Sequence, residues 1–244
     1  MRSMSDLNNN VRNELIKLGA DIVGFGNLEE LPDEVREGLP AGISVAVVYP
    51  KEIICGISEL PTQEYRDWYD KLNERLDKVV ADGADYIRGL EYKAVAQTRE
   101  YVGSGEKSNN TTLPHKTVAT HAGVGWIGKC ALLVTEQYSS ALRLSSILTD
   151  APLETALPVN ESHCGDCMAC TEACPAGAVS GKLWDVGLYR DEFFDPVKCR
   201  KTARERSKQG FGGNITICGK CIKICPFTRR YIFDNVRNRS NDNN

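Results

Sequence analysis

The 244-residue chain has no long apolar run near its N-terminus. A secretory signal and a membrane span both need one, so neither is expected, and no membrane partner is expected either. Arg2 stands alone, which excludes a twin-arginine export signal. The polar stretch 102–112 (VGSGEKSNNTT) is rich in glycine but lacks the G-K-S/T of a phosphate-binding loop. A nucleotide site of that kind is therefore excluded. No internal repeat is visible outside the cysteine motifs. With no sign of export, the ten cysteines are not expected to pair as disulfides. The expected location is the cytoplasm, under low oxygen.

Eight of those cysteines fall between residues 164 and 225. The first four, Cys164, Cys167, Cys170 and Cys174, run C-x2-C-x2-C-x3-C and are closed by Pro175. A second run, Cys218, Cys221 and Cys225, reads C-x2-C-x3-C and is closed by Pro226. This is bacterial ferredoxin spacing, in which the fourth cysteine of a run ligates the other cluster. Zinc sites usually present two pairs of ligands and do not use this spacing. Two 4Fe–4S clusters need eight thiolates. The crossing rule gives Cys164, Cys167, Cys170 and Cys225 to the first cluster. It gives Cys218, Cys221 and Cys174 to the second, which is one ligand short. Cys199, nineteen residues before Cys218, is the remaining candidate, displaced by an insertion at about 200–217. Cys55 and Cys130 lie outside the count and are expected to be small buried apolar residues.

The formal net charge of −3 is unevenly spread. Residues 198–239 carry twelve Lys or Arg against two acids, a local +10. Such a face suits a nucleic acid or an acidic redox partner. It equally suits plain compensation of negatively charged clusters.

Leu7, Val11, Leu15 and Leu18 recur at helical spacing, and Gly19 follows them. Residues 22–25 and the β-branched run 43–49 read as strands, and 28–39 as a weaker helix. The longest helix is expected from Pro61 to about Ala81, ended by Gly83. Residues 92–98 read as a strand and 116–121 as a short helix. Residues 131–135 and 141–148 read as strands that pair as a hairpin. Residues 175–180 and 195–208 are expected to be helical. The segment Gly123-Val124-Gly125-Trp126-Ile127-Gly128-Lys129 places three glycines in six residues. Glycines at this density imply close backbone approach to something.

In order, a helix–strand region, G-x-G-W-I-G-K, I-L-T-D at 147–150 followed by Pro152 and Leu153, and the two cysteine runs resemble the epoxyqueuosine reductase family. They are more remotely similar to corrinoid-dependent reductive dehalogenases. The resemblance implies an α+β fold. A nitroreductase-like domain (1–155) that binds cobalamin base-off would precede a ferredoxin-like two-cluster module (156–235) and a polar tail (236–244). It implies that electrons pass through both clusters to cobalamin, supplied by a ferredoxin or flavodoxin. It also implies that the cobalamin cavity involves Gly123, Gly125, Trp126, Ile127, Gly128, Lys129, Ile147, Leu148, Thr149 and Asp150. Two departures stand out. The family's acidic proton donor falls at Asn109 or Thr111, neither of which is an acid. His115 and His121 are the nearby candidates for a substitute acid or a cobalt ligand. The chain also reads as a short form without the helical-repeat extension that contacts tRNA. An alternative is a protein that reduces a corrinoid on a partner, or a plain two-cluster electron carrier.

Overall fold

The computed structural model describes the backbone of residues 4–103 and 111–241, with side chains over 5–103 and 111–233. The elements follow in chain order. They are α1 (Met4–Leu18), β1 (Ile22–Asn27), β2 (Ala41–Val48), α2 (Lys51–Gly56), α3 (Gln63–Gly89), β3 (Ala94–Ala96), α4 (Arg99–Val102) and α5 (His115–His121). After them come β4 (Trp126–Ile127), β5 (Leu133–Val134), β6 (Leu142–Thr149), α6 (Ala169–Glu172), α7 (Arg190–Phe193), α8 (Pro196–Phe211), α9 (Lys220–Ile224) and α10 (Pro226–Asn241). They fall into two compact units.

The first unit comprises Met1–Val48, Lys71–Gly125 and Arg143–Asn160. Its sheet has the order β1-β2-β6-β3, with β1 antiparallel to β2 and β3 antiparallel to β6. Helix α5 packs on β1 and β2. Glycines set that approach. A Cβ on Gly26 would lie 2.7 Å from the backbone of His121 and Ala122, and one on Gly42 2.8 Å from Val118. Leu28, Leu39, Leu113, Val118 and Leu148 form a buried cluster over this sheet.

The second unit comprises Tyr49–Asp70, Trp126–Leu142 and Glu161–Asn244. Here β4 and β5 form a hairpin with the register Trp126↔Val134 and Ile127↔Leu133. Its turn is closed by Ala131 N–H to Gly128 O and Gly128 N–H to Leu132 O, both 2.8 Å. Ala131 takes φ 60°, the left-handed residue that completes a three-residue hairpin loop. Helices α8, α9 and α10 carry or flank the late cysteines.

Several expectations need correction. Residues 28–39 form turns rather than a helix. Pro32 restricts the backbone there, and Glu37 and Gly38 both take positive φ, which a right-handed helix cannot include. Helix α3 runs through Gly83, where a Cβ would lie 2.4 Å from Leu15. That glycine permits close packing and does not stop the helix. The 131–135 strand pairs with β4, while β6 takes a place between β2 and β3. Residues 175–180 are not helical, since Gly177 is left-handed and the Ala178 amide bonds a cysteine sulfur instead. Helix α10 runs on to Asn241, within the expected tail. No helix among the described residues is long and apolar enough to cross a membrane.

Candidate metal centre

The eight spaced cysteines all lie in the second unit as half-buried free thiols. Local sequence explains their presentation. Gly165, at φ 53°, turns the loop between Cys164 and Cys167. Cys170 sits in α6 and Cys174 just beyond it. Asp195 caps α8 by accepting from the amides of Val197 and Lys198, which fixes the helix that carries Cys199. Gly219, at φ 75°, separates Cys218 from α9, which contains Cys221 and ends at Cys225. Pro226 then opens α10.

Burial pushes the Cys199 thiol up to about 11, reinforced by the charges of Cys174 and Cys218, the two thiols with which it is grouped above. The Ala178 amide donates to Cys174 Sγ at 3.3 Å, the kind of bond that thiolate ligands of clusters accept. The buried hydroxyls of Ser162, Thr171 and Thr228 have no hydrogen-bond partner among the described residues. Each is within three residues of a cysteine of the set, where cluster and thiolate sulfurs would accept. No three His, Cys, Asp or Glu side chains among the described residues close on a single metal ion. Ligands on a four-iron cube bind separate corners and are held apart, so the donor set fits clusters and not a mononuclear site.

The G-x-G-W-I-G-K segment divides by role. Gly123, at φ 64°, ends α5, with its amide bonded to Thr120 O and that of Val124 to Ala119 O. Trp126 is 2% exposed. Its ring stacks on His163 at 4.8 Å and meets the edge of Phe227 at 5.1 Å. These neighbours flank Cys164 and Cys225, ligands assigned to the same cluster. The buried indole N–H has no acceptor among the described residues. A Cβ on Gly128 would lie 2.8 Å from the Val134 side chain, so glycine here lets the hairpin close, with Cys164 Sγ at an ordinary contact distance of 3.6 Å. Lys129, 4% exposed, donates from Nζ to Cys167 O at 3.0 Å and lies 3.7 Å from Met168 Sδ. No carboxylate among the described residues pairs with it. A buried cation needs a counter-charge, and an anionic thiolate-ligated cluster provides one.

Cys130, beside Lys129 at the hairpin tip, is buried as expected, whereas Cys55 is exposed. The neighbouring Cys170 thiol pulls the Cys130 pKa down, and the Cys221 thiol and burial outweigh that and push it up. Nothing in the residue types announced this neighbourhood. The only hint was two apolar pairs, 126–127 and 133–134, flanking a short loop that opens with glycine.

The remaining candidates lie in the first unit. Ile147, Leu148 and Thr149 are fully buried in β6. Thr149 Oγ1 donates to Lys93 O at 2.7 Å, and Asp150 Oδ1 accepts from the Lys93 amide at 2.7 Å. His115 Nδ1 is 2.9 Å from Ser146 Oγ. Burial of the ring, helped by the Arg143 charge, lowers its pKa to about 4. That shift favours the neutral ring at pH 7. His121 closes α5. Thr111 is exposed, and Asn109 lies outside the described residues.

A cavity of about 560 Å³ opens elsewhere in the second unit, lined by Lys51, Glu136, Gln137, Tyr138, Phe227, Arg230 and Tyr231.

With this geometry in view, known proteins are informative. Residues 163–228 match the 4Fe–4S double cluster binding domain, which spans the cysteine set. Epoxyqueuosine reductase of Salmonella typhimurium is 29% identical over 213 residues, covering 84% of this chain and 52% of the relative. The chain is a relative of the epoxyqueuosine reductases. A crystal structure of an epoxyqueuosine reductase with a tRNA-Tyr stem loop aligns over 93% of this chain and 66% of that one, with TM-score 0.60 and 19% identity. A reductive dehalogenase, whose structure was described as suggesting a mechanism for B12-dependent dehalogenation, aligns over 96% of this chain and 35% of that one. Its TM-score is 0.66 at 18% identity. The α+β fold is thus the one these two groups of relatives share. The chain spans about half the length of the curated relatives it matches.

Proposed function

We propose that the chain is an iron–sulfur oxidoreductase that passes electrons through two 4Fe–4S clusters to a bound cobalamin. One observation carries the reading. The Trp126–Lys129 turn, which the family resemblance assigns to the corrin, touches the ligand loop of the first cluster through His163 and Cys167. Cys164, Cys167, Cys170 and Cys225 would hold that cluster. Cys174, Cys199, Cys218 and Cys221 would hold the second. When bound, the clusters supply one-electron transfer and cobalamin supplies a low-valent cobalt that reduces the substrate.

The chain's own residues supply the surroundings. Trp126 sets ring surface against His163 and Phe227, the residues that flank Cys164 and Cys225. Lys129 offsets the negative charge of the first ligand loop. The unpaired indole N–H of Trp126 is a donor for a corrin side-chain amide. Gly123, Gly125 and Ile127 stay with this cofactor neighbourhood in the proposal. Ile147, Leu148, Thr149 and Asp150 enter it only through the family resemblance, because their side chains are buried or hydrogen-bonded within the sheet. The proposed division remains 1–155 for cobalamin and 156–235 for the clusters.

A second reading is favoured by one specific feature. Neither Thr111 nor neutral His115 can act as the acid that the family carries. That suits a protein that delivers electrons to a corrinoid or to another acceptor without protonating a substrate itself. In either reading a ferredoxin or flavodoxin is the proposed donor. Residues 198–239 are the proposed contact for tRNA, with affinity that falls steeply as salt rises.

Anaerobic reconstitution followed by iron and sulfide analysis tests the shared foundation. About eight irons per chain are expected, and about four would overturn the two-cluster reading.

A further inference from the structure

The cavity of about 560 Å³ in the second unit lies among Lys51 at the start of α2, Glu136 and Tyr138 in the loop after β5, and Phe227, Arg230 and Tyr231 in α10. None of these residues belongs to the set that the family resemblance assigns to the corrin. Helix α10 packs on α2, which brings two cations to one cavity. Lys51 Nζ lies 5.0 Å from the centre of the Tyr231 ring, and Arg230 Cζ lies 4.3 Å from the centre of the Phe227 ring. The rings are themselves fixed. The Tyr231 hydroxyl donates to Tyr49 O at 2.8 Å, Tyr138 meets Tyr231 at 5.3 Å, and Phe227 meets Trp126 at 5.1 Å.

A ring face attracts a cation but leaves its N–H donors available to an anion. Neither Lys51 nor Arg230 pairs with a carboxylate among the described residues. Glu136, the acid in the lining, is exposed and pairs with neither. The cavity thus offers two positioned positive charges beside aromatic surface, in a volume within the range of small-molecule sites, about 300–1,000 Å³. A phosphomonoester carries about −1.5 to −2 at pH 7 and matches two cations. A carboxylate, or an internal phosphodiester of a nucleic acid, carries a single charge and leaves one cation unmatched. The guanidinium takes phosphate oxygens through paired N–H donors and the ammonium as a point charge. Ring surface suits a planar group attached to the phosphate.

We propose that this cavity binds a small phosphomonoester with a planar aromatic body, the chemistry of a free nucleoside monophosphate. Arg230 and Lys51 hold the phosphate, and the ring surface of Tyr138 and Phe227 meets the planar group. The site goes beyond the electron-transfer reading and does not depend on cobalamin. Phe227 follows the cluster ligand Cys225 by two residues, so the occupant sits beside the segment that presents that ligand.

The test is equilibrium dialysis of the anaerobically reconstituted protein at low salt. The probes are each ribonucleoside 5′-monophosphate in turn, the matching nucleosides, inorganic phosphate, and an RNA trinucleotide without a terminal phosphate. At least one monophosphate is expected to bind more tightly than its nucleoside and than inorganic phosphate. Arg230→Gln and Lys51→Gln are each expected to weaken that binding about tenfold or more, with iron content and circular dichroism unchanged. Glu136→Gln is expected to tighten it, because a repelling charge is removed. No retention of any monophosphate at millimolar concentration would overturn the proposal, as would retention that both cation variants leave unchanged. Equal binding of the nucleoside would show that the anion plays no part and would also overturn it. Stronger binding of the trinucleotide would overturn it in favour of a strand-binding surface. Loss of binding under saturating cobalamin would make the cavity part of the cobalamin site, a further overturning result.

Discussion

Lys129 Nζ lies 3.0 Å from the carbonyl oxygen of Cys167 and is buried there without a carboxylate partner among the described residues. The bond ties the tip of the β4–β5 hairpin to the loop that presents the first cluster. Lys129→Met keeps the length of the side chain and removes the charge. The first cluster's midpoint potential is expected to become more negative, because the cation favours the more reduced and more negative form. Loss of the hydrogen bond to Cys167 is expected to cost about 1–2 kcal/mol of stability. Redox titration and denaturant unfolding of the reconstituted protein check the two effects separately.

The charges of Cys174 and Cys218 act on Cys199, although twenty-four and eighteen residues respectively separate it from them in the sequence. Cys199→Ala is expected to remove the second cluster and leave the first. Iron falls from about eight to about four, with one EPR signal retained. Equal loss of both clusters in a variant whose circular dichroism is unchanged would contradict the ligand grouping.

His115 gives the fold an acid sensitivity. Its pKa drops from 6.5 to about 4 on folding, so the native state holds the ring neutral while the unfolded state protonates it. The stabilisation is complete above pH 6.5 and is lost as pH falls through about 4. After allowance for partial exposure, the expected loss is on the order of 2 kcal/mol. His115→Gln is expected to flatten the dependence of unfolding free energy on pH across that window. An unchanged slope would contradict the assignment.

The cysteine spacing made the cluster module legible because ligand geometry constrains sequence directly. Both runs could be read without a structure, and the double-cluster match over 163–228 spans them. The buried run of β2 was equally plain, since continuous β-branched residues have few other uses. Other features depended on context. Gly83 reads as a helix stop, yet it accommodates Leu15 of a neighbouring helix inside α3. Residues 28–39 carry helix-compatible side chains but bury Leu28 and Leu39 through turns held by left-handed Glu37 and Gly38. The partner of residues 133–134 could not be chosen locally, because 126–127 and 142–149 are both apolar and both near in sequence. Cys130 was the least visible of all. Its place near Cys170 and Cys221 exists only once the hairpin and the two short helices α6 and α9 are folded.

The central claim is that the chain carries cobalamin beside its clusters. A visible-spectrum titration with cobalamin, under strict exclusion of oxygen and with both clusters reconstituted, tests it most directly. The account predicts conversion to a base-off spectrum that saturates near one cobalamin per chain, with weaker binding in Trp126→Ala and no loss of iron. A spectrum that stays base-on through the whole titration, with both clusters intact, would contradict it and leave a two-cluster electron carrier.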